Sequence, residues 1–338
     1  MVGLINIIVP VYNSEKYIGR CLQSIFNQTY KLIHVYVVND GSIDSSLSII
    51  SDFKHKHINM TIINKPNGGL SSARNAGLQR ITDYSGTYIM FVDSDDCIES
   101  HYCERMIEVM KKVNTDILCS GFTGFNDKGV VHTMDNHFGD IKYDVEEGLK
   151  ALFCGDILSQ AQTKLYKSEL WKDFYFDENI RFMEDQAIMF KLFYKSRSIY
   201  YFNNQGYYYY YSANSLIRSK LTNYKIISAL NAYYEAIIFE YNLPKSLEII
   251  NCAKNCFASA FLMLSPRFDK KNEQKELLEK YFFYERYVKE TKLIKYANFN
   301  NKKDRKKRAL YLFSPSLLEL YIAFILGGVP NKGRYGYI

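Results

Sequence analysis

The sequence predicts an α/β fold, a mainly parallel sheet with flanking helices, followed by a helical C-terminal region. Three observations carry that reading. Four short apolar runs rich in β-branched residues recur in the first hundred positions, each followed by one helical stretch. Of the 338 residues, 47% are hydrophobic and 23% charged, the balance of a globular chain with ample core. From about Leu221 onward helical spacing dominates, with many Tyr, Leu and Lys.

The first run, Ile5–Val9, stops at Pro10, and Glu15–Gln28 follows with Tyr17, Ile18, Cys21, Leu22, Ile25 and Phe26 at helical spacing. Ile33–Val38 is the second run, and Asp44 is the expected N-cap of a helix over 45–56. Met60–Ile63 leads through Gly68-Gly69 into a helix over 71–80. Tyr88–Val92 leads into a helix over 100–112. Strand-length runs separated by single helices require βαβ crossovers, hence parallel strands. After Asp116–Cys119 the pattern loosens. Residues 121–140 read as a loop or irregular hairpin, 144–153 and 184–195 as helices, and 200–202 and 207–211 as short strands. A boundary is expected near residue 215.

Composition bounds the compartment. Seven Cys show no pairing pattern, and Met1-Val2-Gly3-Leu4 has no basic n-region, so a reducing cytosol and free thiols are expected. Cys252 and Cys256 share a helix face but have no partners for a metal site, and read as small core residues. No eighteen-residue apolar run occurs, so no membrane span is expected. The formal charge is +7, unevenly spread. Residues 281–338 hold 12 Lys and Arg against 4 Asp and Glu, a net +8 that leaves −1 for the other 280 residues.

In an open parallel sheet, ligands bind beyond the carboxyl ends of the strands. The conspicuous polar segments fall there: Pro10-Val11-Tyr12-Asn13, Asn39-Asp40-Gly41-Ser42, Asn67-Gly68-Gly69-Leu70-Ser71-Ser72-Ala73-Arg74-Asn75, and Asp93-Ser94-Asp95-Asp96. A crevice lined by carboxylates, one Arg and one Tyr suits a divalent metal, a diphosphate and a flat ring. Each residue alone has a plainer reading: Asp40 as a turn residue, Tyr12 as packing, Arg74 as a solvated helix position, the acidic triplet as a helix cap.

Together, in this order and spacing, the four segments resemble the GT-A fold, family 2 glycosyltransferases of bacterial polysaccharide and capsule synthesis, over residues 4 to about 112. The resemblance implies a UDP-sugar donor and Mn²⁺ or Mg²⁺. It implies that Tyr12 borders the nucleobase, Asp40 meets the uracil edge, Arg74 helps hold the nucleotide and Asp93 faces the ribose or sugar. Asp95 would ligate the metal, and Pro10, Asn13 and Ser94 complete the donor-binding set. Phe176-Asp177-Glu178-Asn179-Ile180-Arg181-Phe182-Met183-Glu184-Asp185 resembles the family's acidic pair at a helix start. Inverting transfer needs a base for the acceptor hydroxyl, and a helix N-terminus favours a carboxylate. Asp185 is the expected base, with Glu184 as its neighbour or acceptor contact. Gln162-Thr163-Lys164-Leu165-Tyr166-Lys167 resembles a segment beside the acceptor cleft. On this reading residues 1–215 form the catalytic domain, 1–112 being the nucleotide-sugar half and 113–215 the acceptor half, and 216–338 a helical region.

One departure stands out. Members of the family often carry Arg or His after a tyrosine-rich strand, and Tyr207–Tyr211 is followed by Ser212-Ala213-Asn214-Ser215 without one, leaving Arg218 as the nearest substitute. Of the histidines, His101 reads as an exposed helix position, and His132 and His137 fall in the 121–140 segment, a potential lid.

In the tail, the block Asn301–Arg308 precedes apolar Ala309–Leu312 and Leu317–Val329, with Pro315 opening a helix. A basic cluster beside an apolar helix fits a peripheral position on the cytoplasmic membrane face, with a glycan or lipid-linked glycan acceptor. Nucleic acid, the rival partner for a basic run, has no use for the apolar helix; the plainest reading is a solvated loop and a docked helix. Other functions fit less well. A dehydrogenase needs G-x-G-x-x-G and a P-loop enzyme G-x-x-x-x-G-K-[ST], both absent. A nucleotidyltransferase would show a glycine- and base-rich loop after the first strand. A catalytically inactive sugar-nucleotide-binding or membrane scaffold is supported only by the missing basic residue.

Overall fold

The computed structural model describes residues 3–134, 139–211, 220–241, 247–271 and 273–293. The expectations for Ser215, Arg218, His137 and the whole basic and apolar tail lie outside these residues. The chain divides into two compact units, 1–219 and 220–338.

In the first unit, β1 (Ile5–Val11) is buried along its whole length and α1 (Ile18–Phe26) packs Ile18, Cys21, Leu22 and Ile25 inward. Next come β2 (Ile33–Asp40), α2 (Ser46–Lys56), β3 (Met60–Lys65), α3 (Leu70–Leu78) and β4 (Tyr88–Phe91). All four strands run parallel, in the order β3-β2-β1-β4, so their carboxyl ends share one edge. At α2 the N-cap position is Ser45, one residue beyond the expected Asp44. Asp44 still secures the turn, accepting from Ser46 N at 3.0 Å and from Glu15 N at 3.0 Å.

Beyond β4 the chain departs from a simple parallel series. A two-residue strand β5 (Cys97–Ile98) precedes α4 (Tyr102–Val113) and β6 (Ile117–Ser120). The expected loop or hairpin over 121–140 contains an antiparallel, bulged hairpin, β7 (Phe122–Asn126) and β8 (Gly129–Met134). Then follow β9 (Ile141–Tyr143), α5 (Val145–Cys154), β10 (Lys164–Lys167), α6 (Glu184–Lys195), β11 (Ile199–Phe202) and β12 (Tyr207–Tyr210). β10 runs antiparallel between β4 and β6, and β9 is an antiparallel edge beside β11, giving an eight-stranded mixed sheet in the order β3-β2-β1-β4-β10-β6-β11-β9. A second sheet, β5-β12-β7-β8, holds the tyrosine-rich strand.

The second unit contains α7 (Asn223–Tyr241), α8 (Leu247–Leu264) and α9 (Lys275–Glu290). Its Tyr and Phe pack on one another: Tyr234 meets Phe257, Tyr284 and Tyr287, and Phe268 stacks on Tyr281 at 4.3 Å. Among the described residues no helix is long and apolar enough to cross a membrane. No disulfide joins the described cysteines; Cys21, Cys97, Cys103 and Cys119 are buried thiols.

The seating of α3 matters most for the site. Gly77 lies so close to β1 that a Cβ there would fall 2.6 Å from Ile8 Cγ2. The helix therefore approaches the sheet by lacking a side chain. Gly77→Ala should lower stability by about 1–3 kcal/mol through overpacking, measured by urea unfolding, and should disturb the residues that α3 carries.

Candidate functional site

The site is built on one face of α3. Ser71, Arg74 and Asn75 are three and four residues apart, so they project together, and all three are buried. Asn75 makes a two-way backbone-like pairing with Phe176: its Nδ2 donates to the Phe176 carbonyl at 2.9 Å and its Oδ1 accepts from Phe176 N at 2.9 Å. The Ser71 hydroxyl donates to the Ile180 carbonyl at 3.3 Å. The face thus clamps the 176–180 segment that leads into α6.

Arg74 lies at the centre, 1% exposed. Nη2 donates to Asp93 Oδ1 at 3.1 Å, and Nη1 to Glu184 Oε1 at 3.2 Å and to Asp185 Oδ1 at 2.7 Å. Its guanidinium lies 5.2 Å from the Phe176 ring centre and 5.8 Å from that of Phe91, and Trp171 stacks on Phe176. Burial works against its charge, but Asp185, Asp93 and Glu184 outweigh it and the pKa rises. One cation facing three carboxylates leaves an excess of negative charge. Burial, then the Asp185 charge, pushes Glu184 up to about 7 against the pull of Arg74, and burial likewise raises Asp185.

The acidic pair opens α6 through a strained residue, Met183, which sits in the left-handed region at φ 65°. Asn13, after β1, is also left-handed, at φ 47°. Around it the loops after β1 and β2 are laced together. Asn13 N donates to Ser42 Oγ at 3.1 Å, Ile43 N to Asn13 Oδ1 at 3.0 Å, and Ser14 N to Ser46 Oγ at 2.8 Å. Ser14 Oγ pairs with Ser94 Oγ at 2.8 Å, joining this lacing to the acidic turn. Tyr12 protrudes, 50% exposed, as a ring available for stacking.

Asp40 ends β2 as expected, but its carboxylate is engaged. It accepts from Lys65 Nζ at 2.6 Å, Gly69 N at 2.8 Å and Gly68 N at 3.0 Å. It therefore fixes the glycine turn that starts α3. Gly41 beside it, at φ 73°, would put a Cβ 2.7 Å from Asn67 N.

In the acidic turn the three aspartates divide their work. Asp93 pairs with Arg74. Asp96, for which the sequence alone offers no role, is fully buried; it accepts from the Tyr207 hydroxyl at 2.6 Å and from Tyr210 N at 2.8 Å. Tyr207 in turn accepts from Asp93 N at 3.3 Å. This pins the tyrosine strand to the turn and gives the Tyr207 side chain a structural role. Burial, then Asp93, raises Asp95 to about 6, with Arg20 opposing. Asp95 and Asp93 are hard oxygen donors on one turn, a fit to a divalent ion that takes its remaining ligands from phosphate and water. Among the described residues no three His, Cys, Asp or Glu group into a metal site. His101, as expected, is exposed at the start of α4, paired with Glu104 at 3.2 Å.

The mixed sheet, with its four polar strand ends and acidic helix start, has the architecture of the GT-A fold class. Residues 6–190, more than half of the chain, match the profile "Glycosyl transferase family 2", and the chain belongs to that family. It is 35% identical over 253 residues to Glycosyltransferase GlyA of Streptococcus pneumoniae, covering 72% of this chain and 36% of that protein. It is 32% identical to the putative glycosyltransferase EpsH of Bacillus subtilis, covering 71% and 66%. This chain thus spans about a third to two thirds of the length of these two relatives. The fold matches crystal structures of Staphylococcus aureus TarS 1–349 at 20% identity. One, in complex with UDP-GlcNAc, has a TM-score of 0.68 and covers 96% of this chain and 92% of that one.

The raised carboxylates have a measurable consequence. Glu184 keeps its proton in the folded protein up to about 7, against 4.5 ordinarily. Between those values the native state binds more protons than the unfolded chain, so its stabilising contribution is complete below pH 4.5 and is lost as pH rises through about 7. Ligand-free protein should lose thermal stability from about pH 5 to 8, and Glu184→Gln should flatten that decline; melting temperatures across the range test both.

Proposed function

We propose that the chain is a metal-dependent inverting glycosyltransferase that moves a hexose or N-acetylhexosamine from a UDP-sugar to a hydroxyl of a glycan acceptor, in cell-surface polysaccharide synthesis. The observation that carries the reading is the Arg74 bridge, which holds Asp93 of the donor motif and Asp185 of the acceptor motif on one guanidinium. The donor class draws support from TarS, solved with UDP and with UDP-GlcNAc. The acceptor class draws support from relatives named poly(ribitol-phosphate) β-glucosyltransferase and β-N-acetylglucosaminyltransferase, 33% and 30% identical over 204 and 199 residues.

Tyr12 stacks on the base, and the uracil N–H shares the Asp40 carboxylate with the glycine turn. Asp93 orients the ribose or sugar while Arg74 fixes its direction. Asp95, with Asp93 beside it, would hold Mn²⁺ or Mg²⁺, whose charge offsets that growing on the departing UDP. Asp185 takes the proton of the acceptor hydroxyl as that oxygen bonds to the anomeric carbon from the face opposite the diphosphate. The bond to UDP breaks in the same displacement, which inverts the centre. Glu184 contacts the acceptor or its neighbour carboxylate. The segment 301–338 rests the enzyme on the cytoplasmic membrane face near a lipid-linked glycan.

Purified enzyme assayed with UDP-Glc, UDP-Gal, UDP-GlcNAc and UDP-GalNAc should release UDP only with Mn²⁺ or Mg²⁺. Asp185→Asn should cut turnover by about 10²–10⁴-fold, the usual worth of a general base, while calorimetry shows UDP still binding. Asp95→Asn activity equal to wild type, or full activity in EDTA, refutes the metal role. Deleting 301–338 should move the protein from the membrane pellet to the supernatant in vesicle sedimentation without loss of donor hydrolysis.

A further inference from the structure

Lys164 begins β10, in the middle of the large sheet, and is 1% exposed. An ammonium at that depth is costly unless its hydrogen bonds are made, and burial lowers its pKa. Its Nζ donates to two backbone carbonyls, Leu158 at 2.5 Å and Gln160 at 2.6 Å. Both belong to the turn just before Ala161. Two residues along the strand, and so on the same face, the Tyr166 hydroxyl donates to the Ala161 carbonyl at 3.1 Å. The peptides around residue 161 are therefore held by two buried side chains of a single strand. The Ala161 N–H and, more weakly, the Lys164 charge both favour the charged form of Asp185 against its burial.

We propose that Lys164 is a positioning residue for the transfer reaction, pinning the 158–161 turn so that the Ala161 N–H keeps the Asp185 carboxylate placed to take the acceptor proton. This rests on the reading of Asp185 as the base. The groups facing Asp185 are Arg74 from α3, Asp93 after β4, Glu184 on its own helix, and Lys164 and Tyr166 from β10. Of these, Lys164 and Tyr166 hydrogen-bond the peptides around Ala161, and Tyr166 meets Phe91 through its ring, which Tyr166→Phe keeps. They are therefore the two side chains whose change separates placement of the base from donor binding.

The test compares Lys164→Met, Tyr166→Phe and Asp185→Asn with wild type, in full-length enzyme with Mn²⁺ and the donor that the panel selects. Lys164→Met should lower kcat by about 10–100-fold, the usual cost of losing a supporting contact behind a functional group. The donor KM and the affinity for UDP should stay unchanged. The acid limb of the kcat–pH profile should move to higher pH, because Asp185 loses stabilisation of its charged form. Tyr166→Phe, which removes one hydroxyl and keeps the ring, should act in the same direction more weakly; it decides the matter if the Lys164 variant fails to fold. Unchanged kcat and acid limb in the variants that fold, with Asp185→Asn inactive, overturns the role of Lys164 alone. So does an equal loss of kcat and UDP affinity, which marks general structural damage. Turnover retained in Asp185→Asn overturns the base assignment beneath it.

Discussion

A buried guanidinium bound to three carboxylates sets the terms for the rest of the structure. Arg74 cannot lose its proton, and at 1% exposure it has almost no access to water, so the fold must supply its counter-charges. They come from places far apart in sequence: Asp93 after β4, and Glu184 and Asp185 at the start of α6, which is 110 positions from Arg74. Removing the cation would leave three acids in a poorly hydrated pocket, a loss of several kcal/mol by the usual cost of breaking a buried pair. The interaction therefore ties α3 and the turn after β4 to the start of α6.

The surrounding parts make that lock possible. α3 reaches the sheet because Gly77 has no side chain, and its turn is fixed because Asp40 binds the Gly68 and Gly69 amides. Asn75 and Ser71 bring the 176–180 segment to the same helix face. Positive-φ backbone occurs at Asn13, next to the proposed base-stacking ring, and at Met183, two residues before the proposed general base. Such conformations persist where neighbouring contacts over-determine them, and here the laced loops after β1 and β2 and the Arg74 bridge are those contacts. Rigid polar scaffolding under an exposed Tyr12 fits a site assembled before its ligand arrives.

Much of this was legible in the sequence. Apolar runs fixed β1 to β4 because parallel strands are buried on both faces and read as continuous hydrophobic stretches. The strand ends were legible because turn chemistry and carboxylates punctuate them. β10 was not, since four residues reading Lys-Leu-Tyr-Lys carry no periodicity, and its antiparallel insertion depends on partners distant in sequence. Asp96 looked like one more acid in a turn; only the Tyr207 contact, 111 positions away, shows it to be an anchor. Lys164 was misleading in the same way, because lysine is ordinarily a surface residue and its two carbonyl partners follow from the fold. Asp40 was placed correctly, but its bonds to Lys65 and to the glycine turn follow from a loop conformation that no pattern encodes.

The distribution of charge in the crevice gives the acidic turn its meaning. The described cations around it are committed. Arg74 serves three carboxylates, Lys65 serves Asp40, Lys164 serves two carbonyls, and Arg20 stacks on Phe125 and Tyr210 while donating to the Asp95 carbonyl. A diphosphate entering beside Asp93 and Asp95 would meet like charge there, and burial already makes Asp95 reluctant to ionise, its pKa raised to about 6. Two carboxylates close together on a half-buried turn are unfavourable for holding an anion directly and favourable for holding a divalent cation, which would offset their repulsion and present positive charge to phosphate oxygens. On that argument the turn's cost without ligand and its proposed service to the donor share an origin: the burial and the neighbouring Asp93 charge that raise Asp95 are what a bound divalent cation would offset.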